Sequence, residues 1–384
     1  MKIAQITTTL EGGAGIAAIR HSEALNFVGL DSSIVSQRGH NSKTNVGSKV
    51  TTLLQKSVVQ SSANLITTFS KTTIEKSQLK DFEILHFHSI YNLIGTQELY
   101  RLSKVKPLFL SLHDQRLLTG GCHYSGKCEN FKGSCSHCPQ VRRAFQRFVE
   151  KEKVSVNNLL QNPNVHFISP SQWLADMTEE IIFNKGNVHV LRNPIPSMPM
   201  ISQEKAKEKF GIEAGKYVIG FVSVHLDNPL KGLGDLVNAL KRLPKEVQNR
   251  IHLLLVGKSG VDLGGLSISS SNFQSNLGKS GENPYSPMDL LAVPSRQDNS
   301  PNVIGEAFMS GVRVLGSQVG GIPELVRDFD CLAINTTDPS VFASHILYEL
   351  EREYLRKELA VRANEVFGYK KIGSNLKKLY EEVL

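Results

Sequence analysis

Two carboxylates eight residues apart, a lysine in a proline-glycine turn, a histidine closing an apolar run and four cysteines within seventeen residues are the groups of this chain best suited to chemistry. The carboxylates, Asp298 and Glu306, lie in PSRQDNSPNVIGEAFMSGVRVLGSQVGGIPE, residues 294–324. Ser300 is a good N-cap and Pro301 a good first helical residue, so the pattern predicts a helix over 302–310 that Gly311 ends. Asp298 then precedes the helix and Glu306 stands on its second turn. The N–H groups that begin at Asn302 make an anion site with an acid on either side. Gly305 inside the helix costs about 1 kcal/mol against alanine, as either close packing or a closely approaching ligand would require.

EGGAG, residues 11–15, follows an apolar strand and opens a second helix. Gly12, Gly13 and Gly15 leave backbone N–H groups unobstructed for a phosphate or a sugar. The run lacks both the Lys-Ser/Thr of a phosphate-binding loop and the G-x-G-x-x-G spacing of dinucleotide binders, so a plain tight turn competes with that reading. His113 ends LFLSLH and belongs at the carboxyl edge of a sheet, where open α/β folds bind ligands. His86 and His88, flanking Phe87 at another strand end, read first as structural and second as acceptor-side groups. Cys122, Cys128, Cys135 and Cys138 fall in a glycine-rich polar loop, 119–140, too poor in apolar residues to pack alone. Four thiolates there suit a tetrahedral structural zinc, with free thiols or a redox pair as alternatives. Asp328 and Asp330 form a D-x-D that reads as a turn rather than a metal motif.

The elements that must position these groups alternate. Apolar, β-rich runs at 2–8, 32–37, 82–89, 107–114 and 164–171 are separated by helical or turn segments, and a second series follows at 217–224, 251–257, 288–295 and 312–318. This is the pattern of α/β doubly wound parallel sheets. Residues 39–80, rich in Ser, Thr, Lys and Asn, predict a loop with a short helix. LRNPIPSMPM, 191–200, is the best linker, because helices do not continue through three prolines. Domains are therefore expected at 1–194 and 195–365, followed by an amphipathic helix at 366–384 with Ile372, Leu376, Leu379 and Tyr380 on one face.

Composition sets the outer limits. With 384 residues, 40% hydrophobic and 21% charged, the chain suits two or three globular domains. Its net charge of +8 admits an anionic partner. The basic residues are dispersed and the cysteine loop holds few aromatics, which disfavours nucleic acid. No run of 18 to 20 apolar residues predicts a membrane span, and the first residues lack a signal-peptide core, so a cytoplasmic location is expected.

The ordered landmarks of the chain resemble family 4 of the retaining glycosyltransferases, which have the GT-B fold, and within it the branch that makes bacterial surface polysaccharides of the colanic-acid, capsule and O-antigen type. They comprise the N-terminal glycine turn, His113-Asp114, SPSQWLAD (169–176), RNPI (192–195), DNPLKG (227–232), LLLVG (253–257), the Tyr285–Asp289 lead into Pro-Ser, and the 294–324 run with Asp298 in place of the first glutamate of E-x7-E. The resemblance implies two Rossmann-like domains facing a central cleft, with the C-terminal helix crossing back to the first. It also implies transfer from a nucleotide-diphosphate sugar to a hydroxyl of a glycan or lipid-linked saccharide, without a catalytic metal.

By the same resemblance Lys231 would hold the donor diphosphate, Glu306 the ribose and Asp298 the hydroxyls of the transferred sugar. His113 would be the catalytic-site histidine of the acceptor domain. Related transferases carry a similar cysteine loop. One departure stands out: the arginine that usually precedes the Lys-Gly is missing, and only His225 stands near its place. The positive charge would suit an acceptor on anionic lipid and peripheral attachment to the inner membrane face. A sugar-nucleotide epimerase or phosphorylase of the same fold, or a zinc-loop binding protein, are the alternatives.

Overall fold

Short apolar runs bounded by turns form twelve strands among the residues that the computed structural model describes, 1–36, 74, 76–273 and 283–384. The strands belong to two units, Met1–Pro194 with Tyr369–Leu384, and Ile195–Gly368. Most of the 39–80 segment lies outside the described residues; within it, Lys76–Leu79 forms a 3-10 turn.

The first unit holds β1 (Lys2–Thr7), β2 (Asp31–Ser36), β3 (Ile84–Phe87), β4 (Leu108–Ser111), β5 (Val165–Ser169) and β6 (Val188–Val190). They pair in parallel in the order β2-β1-β3-β4-β5-β6. Their near-continuous apolar runs reflect burial on both faces. On one face Ile6, Leu85, Leu110 and Phe167 pack with Val156 and Leu174. On the other, Ile3, Ile84, Phe109 and Ile168 pack with Leu25, Ile372, Leu376 and Tyr380. The last three come from the helix Tyr369–Val383, which lies beside the helix Gly12–Phe27. Gly373 permits the approach, since a Cβ there would stand 2.2 Å from the Ala24 carbonyl oxygen.

The second unit holds β7 (Tyr217–His225), β8 (Ile251–Lys258), β9 (Ser269–Phe273), β10 (Leu290–Val293), β11 (Arg313–Ser317) and β12 (Leu332–Ile334), parallel in the order β12-β11-β10-β7-β8-β9. In each sheet the order reverses once, between β1 and β3 and between β7 and β10. A doubly wound sheet leaves a crevice outside the carboxyl ends of those strands. The glycine turn and His88 follow β1 and β3; the Lys231 loop and the Asp298 loop follow β7 and β10. Among the described residues no helix is long and apolar enough to cross a membrane.

Candidate active site

In the second unit two loops meet at the strand-order reversal. After β7, Asn228 caps a 3-10 turn, Pro229–Lys231, by accepting from the Leu230 N–H at 3.0 Å. Gly232 then takes a left-handed conformation, φ 77°, against the Pro294 carbonyl that follows β10. The Arg296 N–H donates to the Leu230 carbonyl at 2.8 Å, and its guanidinium grips both carboxylate oxygens of Asp235 at 2.8 and 2.9 Å. These ties bring Lys231 Nζ to 2.6 Å from Asp298 Oδ2. The carboxylate also accepts from Ser295 Oγ at 3.2 Å and from the Asn299 N–H at 3.1 Å. Asp298 is nearly buried and Lys231 one third exposed, so the cation forms the open side of the pair.

The helix that follows spans Asn302–Met309, one residue shorter than expected. Pro301, not Ser300, occupies the cap position, its ψ of 120° is extended, and its own side chain makes no cap bond. A proline has no N–H to lose at this position, and its carbonyl accepts from the Ile304 N–H at 3.1 Å. Glu306, 3% exposed, accepts from Tyr285 Oη at 2.5 Å. Gly305 serves packing, since a Cβ there would stand 2.9 Å from Ile195 Cγ1. His225, at the end of β7, pairs in register with Lys258 at the end of β8, and both are exposed.

In the first unit the glycine turn opens the helix Gly12–Phe27, whose cap residue Glu11 makes no side-chain cap bond. The three glycines differ. Gly12 has φ 75°, Gly13 is exposed with nothing within 4 Å of where a Cβ would stand, and Gly15 is buried, a Cβ there falling 2.3 Å from the Thr9 carbonyl oxygen. Gly12 and Gly13 therefore leave an open helix start, whereas Gly15 is required by the turn itself. Thr8 Oγ1 donates to the Tyr91 carbonyl at 2.6 Å, fixing this turn to the loop after β3.

His113 lies two residues beyond β4 rather than in it. Together with Ala14, His88, Tyr91, Asp114 and Arg116 it lines a cavity of about 170 Å³. Burial pushes its imidazole down to about 4 despite Asp114 beside it. Burial also works to raise the Asp114 carboxyl, but His123 Nδ1 at 2.6 Å and the Arg116 N–H at 2.8 Å outweigh it and hold the group near 2. Sequence reasoning missed His123, Arg296 and the bond from Tyr285 to Glu306, because these partners are brought together only by the fold.

His123 belongs to the cysteine loop, which is bound to the β4 end by the Gln115 N–H donating to the His123 carbonyl at 2.8 Å. The zinc expectation is not met. Among the described residues no group of three or more His, Cys, Asp or Glu side chains is arranged to hold a metal ion. The four thiols still lie within one another's electrostatic reach, Cys122 feeling Cys138, Cys135 and Cys128. Cys122 is hydrogen bonded to Cys138, which raises the Cys122 thiol and draws Cys138 down to about 6. Cys135 is packed with Phe131, Val141 and Val149 in a small apolar cluster. Gln146 fastens the Cys138 backbone at both its N–H (2.7 Å) and its carbonyl (2.9 Å). Asp330 of the D-x-D turn is paired with Arg362 at 2.7 Å.

Burial of imidazoles has a consequence for acid stability. His21 is held down to about 3, His113 and His166 to about 4, and His86 and His88 well below their ordinary value, in each case first by burial. Between about pH 6.5 and 4 the unfolded chain therefore binds more protons than the folded one, and stability falls as pH falls. Each such group contributes up to about 1.4 kcal/mol per pH unit in that window. Urea midpoints measured from pH 7 to 4.5 are expected to drop steeply; a flat profile contradicts the burial of neutral histidines.

Residues 216–352 match the family model described as glycosyl transferases group 1. A protein of Escherichia coli (strain K12) named as a colanic acid biosynthesis glycosyl transferase, WcaC, is 25% identical over 268 residues, 64% of this chain and 62% of that protein. The chain thus spans less than two thirds of that relative's length. The solved structure of sucrose-phosphate synthase from Thermosynechococcus elongatus is similar over 100% of this chain and 99% of that one, with TM-score 0.67 and 16% identity. Anabaena Alr3699/HepE in complex with UDP and glucose is similar over the whole of both chains, with TM-score 0.63 and 16% identity. These likenesses show the GT-B fold.

Proposed function

We propose that this protein, whose residues 216–352 match the family model of glycosyl transferases group 1, is a glycosyltransferase using a nucleotide-diphosphate sugar and retaining the anomeric configuration. The acceptor is a hydroxyl of a glycan or lipid-linked saccharide in surface polysaccharide synthesis. The observation that carries the reading is the Lys231–Asp298 pair beside the start of the helix Asn302–Met309, at the strand-order reversal of the second sheet. Retention rests on the eight-residue spacing of Asp298 and Glu306, which the resemblance attaches to retaining enzymes. UDP is the first nucleotide to test, because the Anabaena protein was solved with it.

Each group has a physical task. A departing diphosphate gathers negative charge, and Lys231 with the N–H groups from Asn302 onward supplies fixed positive charge without a metal. Asp298 accepts from the hydroxyls of the transferred sugar, and Glu306 from the ribose. Gly12 and Gly13 give backbone room at the first unit's helix start, and His113 binds the reacting sugar. Lys258, in register with His225, is the cation that takes the place of the missing arginine. The net charge of +8 favours an acceptor carried on anionic lipid.

Binding titrations with UDP and UDP-glucose test the assignment. Glu306→Gln and Glu306→Ala should weaken both ligands, the alanine variant by about 10- to 150-fold, as expected for the loss of a charge-assisted hydrogen bond of about 1.5–3 kcal/mol. Asp298→Ala should spare or tighten UDP, because Lys231 loses its internal partner, and should weaken only the nucleotide sugar. If Asp298→Ala loses UDP as badly as Glu306→Ala does, the donor sits differently. An epimerase or phosphorylase is distinguished by following UDP release, which a transferase ties to an added saccharide acceptor.

A further inference from the structure

Beneath the His113 cavity, five hydrogen bonds join six side chains in one line. His113 Nε2 lies 3.0 Å from His88 Nδ1, and His88 Nε2 lies 2.6 Å from Gln5 Oε1. Gln5 Nε2 lies 3.3 Å from Tyr380 Oη, which is 2.7 Å from His86 Nδ1; His86 Nε2 ends the line 2.8 Å from Ser111 Oγ. Gln5, His86, His88, Ser111 and Tyr380 are all buried. The members come from β1, β3, β4, the turns that follow β3 and β4, and the helix Tyr369–Val383.

The line has a direction. A carbonyl oxygen only accepts, so His88 Nε2 carries the hydrogen that reaches Gln5 Oε1. His88 is packed among the rings of His21, His86 and His113, with centroids 4.7, 4.3 and 5.3 Å away, and burial holds it well below its ordinary pKa. It is neutral, and its Nδ1 is a bare acceptor. His113 Nε2 must then be the donor. Gln5 Nε2 donates to Tyr380 Oη, so the tyrosine's own hydrogen goes to His86 Nδ1, and His86 Nε2–H to Ser111. Each link accepts at one end and donates at the other, in a single sense.

We infer that this line fixes the proton of His113 on Nε2 and leaves Nδ1 as an acceptor for a substrate hydroxyl, which makes His88, Gln5 and Tyr380 positioning residues for the transfer. The inference rests on the reading of His113 given under Proposed function. It sharpens that reading: His113 accepts from a sugar hydroxyl rather than donating to a developing anion. It also gives the last helix a chemical part, because Tyr380 orients the Gln5 amide. Turning that amide end for end would reverse every bond in the line and move the His113 hydrogen to Nδ1.

The direct test is ¹⁵N NMR of the imidazole nitrogens in the full chain without ligand. The Nε2–H tautomer is expected for His113 and His88, and the Nδ1–H tautomer at His113 overturns the inference. Gln5→Leu should give a mixed His113 signal and lower kcat for UDP release from UDP-glucose by about 10- to 100-fold, with KM changed less. Gln5→Glu still accepts from His88 Nε2–H and should restore both. Tyr380→Phe should fall between them. An unchanged His113 tautomer in Gln5→Leu, or no rescue by Gln5→Glu in a folded protein, overturns the inference. The tautomer is read without substrate, so a wild-type protein that releases no UDP from UDP-glucose counts against the proposed function and leaves the NMR result to decide this one.

Discussion

Lys231→Ala is expected to slow transfer by about 10²- to 10³-fold, the usual cost of removing one fixed stabiliser of developing charge. The variant should also bind UDP poorly, for two reasons. It removes the cation, and it leaves Asp298, nearly buried and formerly 2.6 Å from Nζ, as an unpaired negative charge beside the phosphate position. The two contributions separate in Lys231→Ala/Asp298→Asn, which should regain part of the UDP affinity and none of the rate. Calorimetric titration and a UDP-release assay measure them. A Lys231→Ala protein with ordinary turnover would remove this lysine from the chemistry.

The largest effect on stability is expected from Gly232→Ala. The residue has φ 77°, and an added Cβ would stand 2.0 Å from the Pro294 carbonyl oxygen, which is backbone and cannot swing aside. Left-handed backbone alone costs alanine about 1–2 kcal/mol, and relieving the clash must pull the Lys231 turn away from the Asp298 loop. A loss of at least about 2 kcal/mol in urea unfolding is expected, together with loss of transfer. Gly234→Ala, two residues on, is the control. It lies in the helix Leu233–Leu240 with nothing within 4 Å of its Cβ position. Alanine there should be neutral or stabilise by up to about 1 kcal/mol. Equal effects at both positions would mean that the turn does not require its glycine.

The central strands of both sheets were legible because burial on two faces writes long apolar runs, as in YVIGFVSVH and IHLLLVGK. Three of the four edge strands were not. β6 and β12 have three residues each, and β9 reads SSSNF, so neither length nor hydropathy separates them from loops. The acids at 298 and 306 could be found by spacing because one loop and one helix carry both. The contact between Lys231 and Asp298 spans 67 residues and depends on which strands flank the reversal, which only the sheet order reveals. The same holds for His113, whose partners His88, Gln5 and Tyr380 share no local pattern. Cysteine spacing suggested metal, but spacing does not show that Cys122 bonds to Cys138 or that Cys135 and Cys138 pack with Phe131, Val141 and Val149. Proline at the cap of Asn302–Met309 was misplaced by one residue, since Pro suits both the cap and the first helical position.

The return of Tyr369–Leu384 to the first unit also orders the folding of the chain in time. The second unit is one continuous stretch, Ile195–Gly368, and has all its residues before the final helix is made. The first is interrupted: its sheet emerges from the ribosome early, yet Ile372, Leu376 and Tyr380, which cover one of its faces, are synthesised after the whole of the second unit. During that interval Ile3, Ile84, Phe109 and Ile168 have only part of their cover, from Leu25 and Leu191. Exposed apolar surface of this kind is what chaperones bind and what aggregates. A fragment of residues 195–368 is therefore expected to fold by itself, whereas residues 1–194 need the final helix, added in trans or spliced on through a linker, to remain soluble.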